Sequence, residues 1–284
     1  MQKKFLALAV VMAGLVLPAQ SVWALMVAPP PGPVRIVNSD AVFVGRVIEM
    51  EPVDVDAKPY PQAKETVKFR IAVVKVNSVI RGLKTEKTIR IGFNPPMEPK
   101  PGRPIIGGGR RGPAVEVGQE GLFMISKHSD GKFYQAPNYG YFVPMIQKDF
   151  DKEVKTAKQV VAIMADAKTA LQSKDADERL LAASIQISMY RTQKAPFPNR
   201  EEPISAEESK LILNAIASAK WGPVRFGDTN PQQLFFQLGV SQKDGFEQPR
   251  KITSPDDMRN AIQGWIRNHA DYRIKRFVSG PEKQ

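Results

Sequence analysis

Cysteine is absent from the 284 residues, and histidine occurs twice. The first absence excludes a disulfide framework, a thiolate metal cluster and a cysteine nucleophile. The second excludes a three-histidine zinc site. No glycine-rich phosphate loop and no nucleophile motif is present, so no cofactor is expected. Acidic residues are few: 29 Asp and Glu stand against 41 Lys and Arg, a net charge of +12 at pH 7. Such an excess keeps a protein soluble and favours a polyanionic partner, whether an anionic glycan, an envelope lipid or an acidic protein. Long apolar runs are missing too, since Phe5 to Leu17 falls short of the roughly 20 residues that span a bilayer.

That short run has a context. Lys3 and Lys4 precede it, and Pro18 and then Val22-Trp23-Ala24 follow it, the three parts of a secretory signal peptide with cleavage after Ala24. The protein is therefore expected to be exported, periplasmic or secreted. With no cysteine beyond the cleavage point, a lipid anchor is excluded, and export makes nucleic acid an improbable target. Residues 25–37 contain Pro29-Pro30-Pro31-Gly32-Pro33 and are expected to form an extended, proline-rich leader.

From Ser39 the pattern is that of strands. Residues 40–49 are rich in β-branched side chains around Gly45, where a barrel strand would bend. Val67, Phe69, Ile71 and Val73 alternate with Lys68 and Arg70, and the phase slips at Val73-Val74, which predicts a β-bulge. Ile89, Ile91 and Phe93 give a third strand. Leu122 to Ile125 and Lys132 to Gln135 give two more, joined by the turn residues Ser129-Asp130-Gly131. Between them, residues 95–114 are poor in apolar side chains and are expected to form a mobile loop.

After Phe150 the period lengthens to that of helices. Val154, Ala157, Val161, Met164, Lys168 and Leu171 share a stripe, as do Leu180, Ala183, Ile187 and Tyr190 beyond an N-cap at Asp175. Ser205 to Glu208, Asn230-Pro231 and Ser254 to Asp257 open three further helices. The expected class is α+β, a five-stranded antiparallel barrel over 38–148 followed by an all-helical domain over 151–284.

The order of the first strands resembles the netrin-like and tissue-inhibitor-of-metalloproteinase-like OB-fold modules. The matching segments are Ser39 to Val47, Val67 to Ile71, Val79 to Lys84 and Val117 to Met124. The resemblance implies an OB-like barrel and an extracellular interaction role, and it covers none of the helical half. Inhibitors of that family chelate a target zinc through an N-terminal cysteine, for which this chain has no counterpart.

Other clusters invite bland readings. Ser126, His128 and Asp130 sit together on a hairpin tip, where a self-bonded turn outweighs a catalytic triad. His269 continues the apolar face of Ile262 and Trp265. Glu49, Glu51, Asp54 and Asp56 lack the glycine turn of a calcium loop and read as a charged strand edge. The best contact candidates are Arg103, Arg110 and Arg111 in the glycine-rich loop, whose guanidinium groups suit sulfates, phosphates and carboxylates. Taken together, the residues predict a non-catalytic binding or scaffolding protein. The alternatives are a polyanion-binding module acting through that loop and a protease inhibitor working without zinc chelation. A hydrolase would need a carboxylate pair assembled only by the fold.

Overall fold

The computed structural model describes residues 32–93, 115–136, 141–193, 199–222 and 229–280. Its class is α+β. Helix α1 (Gly32–Val37) leads into seven strands: β1 (Ala41–Met50), β2 (Val55–Ala57), β3 (Val67–Arg81), β4 (Thr88–Phe93), β5 (Glu120–Lys127), β6 (Tyr134–Gln135) and β7 (Phe142–Pro144). Helices α2 (Phe150–Ala165), α3 (Ala167–Leu171) and α4 (Ala176–Arg191) follow. Then come β8 (Asn199–Pro203), α5 (Ala206–Ala217), α6 (Pro231–Gln237), α7 (Pro255–Asn268) and β9 (Lys275–Ser279). Among the described residues no helix is long and apolar enough to cross a membrane.

Five strands pair in a ring: β1 with β3, β3 with β4, β4 with β6, β6 with β5, and β5 back to β1. Every pairing in it is antiparallel except β4 with β6. Strand alternation then sends neighbouring residues into different cores. Ala41, Phe43 and Val47 of β1 and Phe123 and Ile125 of β5 fill the inside of the ring. Val42 of β1, Leu122 and Met124 of β5 and Val143 of β7 face outward, into the core built with the helices. The unbroken apolar run of β5 follows from this burial on both faces.

Strand β3 corrects the expected bulge. Its register with β4 runs unbroken from Arg70 opposite Phe93 to Lys75 opposite Thr88, so no residue is inserted at Val73-Val74. The buried face changes instead. Phe69 and Ile71 pack outside the ring with Ala57 and Phe133, whereas Ala72 and Val74 point inside it. An extra residue does occur beside this point, in β1: Val47 pairs with Val74 and Glu49 with Val73, leaving Ile48 over.

Three other expectations change. Residues 32–37, read as part of an extended leader, form α1, whose Ile36 and Val37 are buried against the helices. Pro33 stands in its first turn, where a missing N–H has little cost. The stripe from Val154 to Leu171 is broken at Asp166, whose side chain accepts the Thr169 N–H at 3.1 Å and caps α3. The second half is not all helix, because β8 and β9 pair antiparallel. That ribbon is held by charge, with Arg276 3.5 Å from Glu202 and Arg191 2.7 Å from Glu201. Its charged residues break the period-2 apolar signal that marks a strand.

The expected caps at Asp175, Ser205 and Asn230 are present as side-chain acceptors. Glu208 does not close a box back onto Ser205; its carboxylate takes the Tyr190 hydroxyl at 2.5 Å and ties α5 to α4.

Candidate functional site

The seam between ring and helices holds a cavity of about 330 Å³ lined by Val37, Asn38, Ser39, Asp40, Arg81, Met164, Met189 and Thr192, within the size range of small-ligand pockets. Its rigidity begins with an unpaired helix end. The last carbonyls of α1 have no partner within the helix, and Arg81, at the end of β3, supplies one. Its Nη1 donates to the carbonyl oxygens of Ile36 at 3.0 Å, Val37 at 3.1 Å and Ser39 at 2.9 Å. Next to it, Gly82 has φ +82°, and a Cβ there would lie 1.8 Å from the Asp40 carbonyl oxygen. Only glycine allows β3 to end so close to the start of β1.

The other polar walls are also pinned. Ser39 donates its hydroxyl to Arg35 O at 2.7 Å, and Thr192 donates to Ser188 O at 2.6 Å. Asp40 accepts the Lys127 N–H on Oδ2 at 2.8 Å. Among the described residues, the second terminal Arg81 nitrogen, the Asn38 amide and the other Asp40 oxygen are left for a ligand, set against the thioethers of Met164 and Met189. Chemically, this arrangement offers hydrogen-bonding groups for one acceptor-bearing head group beside apolar surface.

The clusters singled out in the sequence have different fates. His128 is buried, with Nδ1 2.8 Å from Asp130 Oδ1 and Nε2 2.9 Å from the Lys58 carbonyl oxygen. The Asp130 N–H also points at Nδ1, at 3.3 Å, so the ring ties the β5–β6 turn to the segment after β2. It also stacks on Phe133 with centroids 4.3 Å apart. Burial disfavours the Asp130 carboxylate, but the Lys132 N–H and the His128 ring outweigh it, and its pKa lies below the ordinary range. The Ser126 hydroxyl turns away to Asn38 O at 3.4 Å, so the three side chains do not form a triad.

Two residues of the acidic cluster face arginines. Glu51 makes a two-point contact with Arg90, at 2.6 Å to Nε and 2.7 Å to Nη2, and the Arg90 hydrogen bond holds its carboxyl below the usual range. Asp54 stands 4.0 Å from Arg70. Among the described residues, no group of three or more His, Asp or Glu side chains could hold a metal ion. His269 caps the end of α7, donating from Nδ1 to Trp265 O at 2.9 Å and stacking on the indole. Arg103, Arg110 and Arg111 lie outside the described residues.

Sequence reasoning missed the cavity. Arg81-Gly82, a charged residue and a glycine ending an apolar strand, carried a local signal. Met164, Met189 and Thr192 carried none, because they reach Arg81 from helices more than 80 residues away. No protein-family model matches the chain, and no curated protein matches it.

Proposed function

We propose that the chain is an exported, non-catalytic binding protein in which an OB-like barrel and a helical layer together hold one small ligand. The observation that carries the reading is the seam cavity, to which β3, the α1–β1 connection, α2 and α4 each contribute. The order of pairing around the ring, with one parallel contact between β4 and β6, supports the barrel. Export rests on the charged, apolar and small-residue parts of residues 1–24. A binding role is supported by where the titratable side chains go: Glu51 to Arg90, His128 and Asp130 to each other, Glu208 to Tyr190.

The ligand is a small molecule, or the end of a chain, that carries a carboxylate or similar acceptor for Arg81 and an apolar portion for the two methionines. Asp40 beside Arg81 disfavours a multiply charged anion and favours a single acidic group accompanied by a donor.

Thermal unfolding of the chain from Leu25 onward, with a panel of small carboxylic acids of increasing apolar length, tests this. Stabilisation by some of them, lost in Met189→Trp and weakened in Asn38→Ala while both variants stay folded, is the expected result. If no acid shifts the transition, or the shift survives in Met189→Trp, the cavity is not the binding site. Mass measurement of the protein recovered after export tests cleavage after Ala24.

A further inference from the structure

Turn corners ordinarily hold glycine, asparagine, aspartate or serine. The turn between β7 and α2 does not. Gln147 N–H donates to Pro144 O at 3.0 Å, which places Met145 and Ile146 at the two central positions. Their exposures are 42 % and 97 %. The turn is pinned on both sides: Met145 N–H donates to Glu120 O at 2.8 Å, and Phe150 N–H donates to Gln147 O at 3.0 Å. Phe150 then packs against the helical core.

Two more apolar side chains are exposed on this rim. Gly118 N–H donates to Val47 O, and Val47 N–H donates to Gln119 O. These bonds bring the exposed Val117 near the exposed Ile48, and Gln119 adjoins the Glu120 that holds Met145. Half of the large exposed hydrophobic side chains among the described residues therefore gather at one edge of the ring, and scattered placement would need no explanation while clustering does.

Behind this edge the charge is basic. Lys148 lies in the same connection, and Lys152, Lys155 and Lys158 are exposed on α2, with Lys155 and Lys158 on the side away from its buried Ala157, Val160 and Ile163 and Lys152 flanking that face. Among the described residues none of these four lysines is within ion-pair distance of a carboxylate. Asp149 and Asp151 share the stretch, and Glu153 is drawn to Arg35 at 3.8 Å, so the outward surface keeps a basic excess.

We propose that the Met145-Ile146 tip, backed by Lys148, Lys152 and Lys155, is a docking surface for an anionic lipid bilayer. A fixed apolar tip inserts shallowly between head groups, and lysines on long aliphatic stems reach the phosphate plane around it. Charge complementarity selects the partner: an acidic membrane satisfies at once several ammonium groups that have no ion pair among the described residues, on exposed positions of the helix. Attachment through two weak terms is reversible and salt-sensitive. The surface is separate from the seam cavity, and neither reading depends on the other.

Because the chain has no cysteine, Ile146→Cys can carry one environment-sensitive fluorophore on the full chain. The local label separates insertion of the tip from attachment through the apolar run near the N-terminus. Its emission is expected to shift to the blue with vesicles containing about 30 % phosphatidylglycerol, to change little with phosphatidylcholine alone, and to return in about 0.5 M salt. A label at Val53→Cys, also exposed, is expected to stay put. Adding Lys148→Gln, Lys152→Gln and Lys155→Gln raises the lipid needed for half the shift by roughly fivefold per lysine. No shift at position 146, an equal shift with zwitterionic vesicles, or a shift indifferent to the lysine changes overturns the proposal. So does a blue shift that grows with protein concentration in the absence of lipid, which would make the tip a contact between copies of the chain.

Discussion

Gly45 and Gly121 stand directly opposite one another where β1 pairs with β5, and aromatic rings occupy the space their missing side chains leave. A Cβ on Gly45 would lie 2.7 Å from Lys75 O and 2.8 Å from the Phe43 ring; one on Gly121 would lie 2.3 Å from Val143 O and 2.6 Å from the Phe142 ring. The neighbouring pair, Phe43 and Phe123, is stacked at 5.2 Å, with Phe142 against Phe123 at 4.7 Å. Two glycines and three aromatics thus form one packing unit inside the ring.

Gly121→Ala is expected to destabilise the protein by about 2 kcal/mol or more, because the obstructing atom is backbone and cannot rotate aside. Gly45→Ala should cost a similar amount. Since the two positions face each other, the double variant should depart from the sum of the singles in urea unfolding. Strict additivity would show that the glycines do not act as one unit.

Arg81→Met removes a charged donor from three carbonyl oxygens and should lower stability by about 2 kcal/mol. Hydrogen exchange gives the sharper check: residues 32–40 should lose protection first, while the centre of β5 keeps it. Uniform loss across the chain would contradict a local anchoring role.

Ser209 is fully buried in α5, where its hydroxyl donates to Ser205 O at 2.8 Å and accepts the Ile274 N–H at 3.1 Å. Ser209→Ala leaves that N–H unpaired at the approach to β9, at a cost of about 2 kcal/mol. Proteolysis after the substitution should begin in the β9 region, as read by mass spectrometry.

Acid should weaken the fold through Glu51 and Asp130. Both have folded pKa values below the ordinary carboxylate range, so their contribution is complete above the unfolded pKa and is lost as pH falls through the folded one. Glu51→Gln should lower stability by about 1 kcal/mol near neutral pH, a figure reduced by the partial exposure of Arg90. It should also flatten the fall in urea midpoint below about pH 4.5. An unchanged slope would mean that the Glu51–Arg90 pair has no role in acid sensitivity.

Legibility in the sequence followed where each element finds its partners. Asp175, Ser205 and Asn230 could be read as caps because the groups they satisfy lie two or three residues away. Strands β1, β3, β4 and β5 were legible because β-branched content and alternation in the first three, and an apolar run in the last, are local signals. Strand β2 and strand β7, three residues each, and the charged ribbon of β8 and β9 were not, since their stability comes from neighbours far along the chain. The phase of β3 was misread for the same reason: Phe133, more than 60 residues on, covers its outer face.

The sequence by itself determined the charge balance, the absence of thiol chemistry, the starts of α4, α5 and α6 and the division into strand-rich and helix-rich halves, all of which depend on residue type and short spacing. Only the tertiary structure decided that α1 joins the helical core, that Arg81 closes its end, that His128 is buried between acceptors, and that Met145-Ile146 stands outward. Those outcomes depend on which surfaces meet, and burial of an apolar face is settled by the partner that covers it.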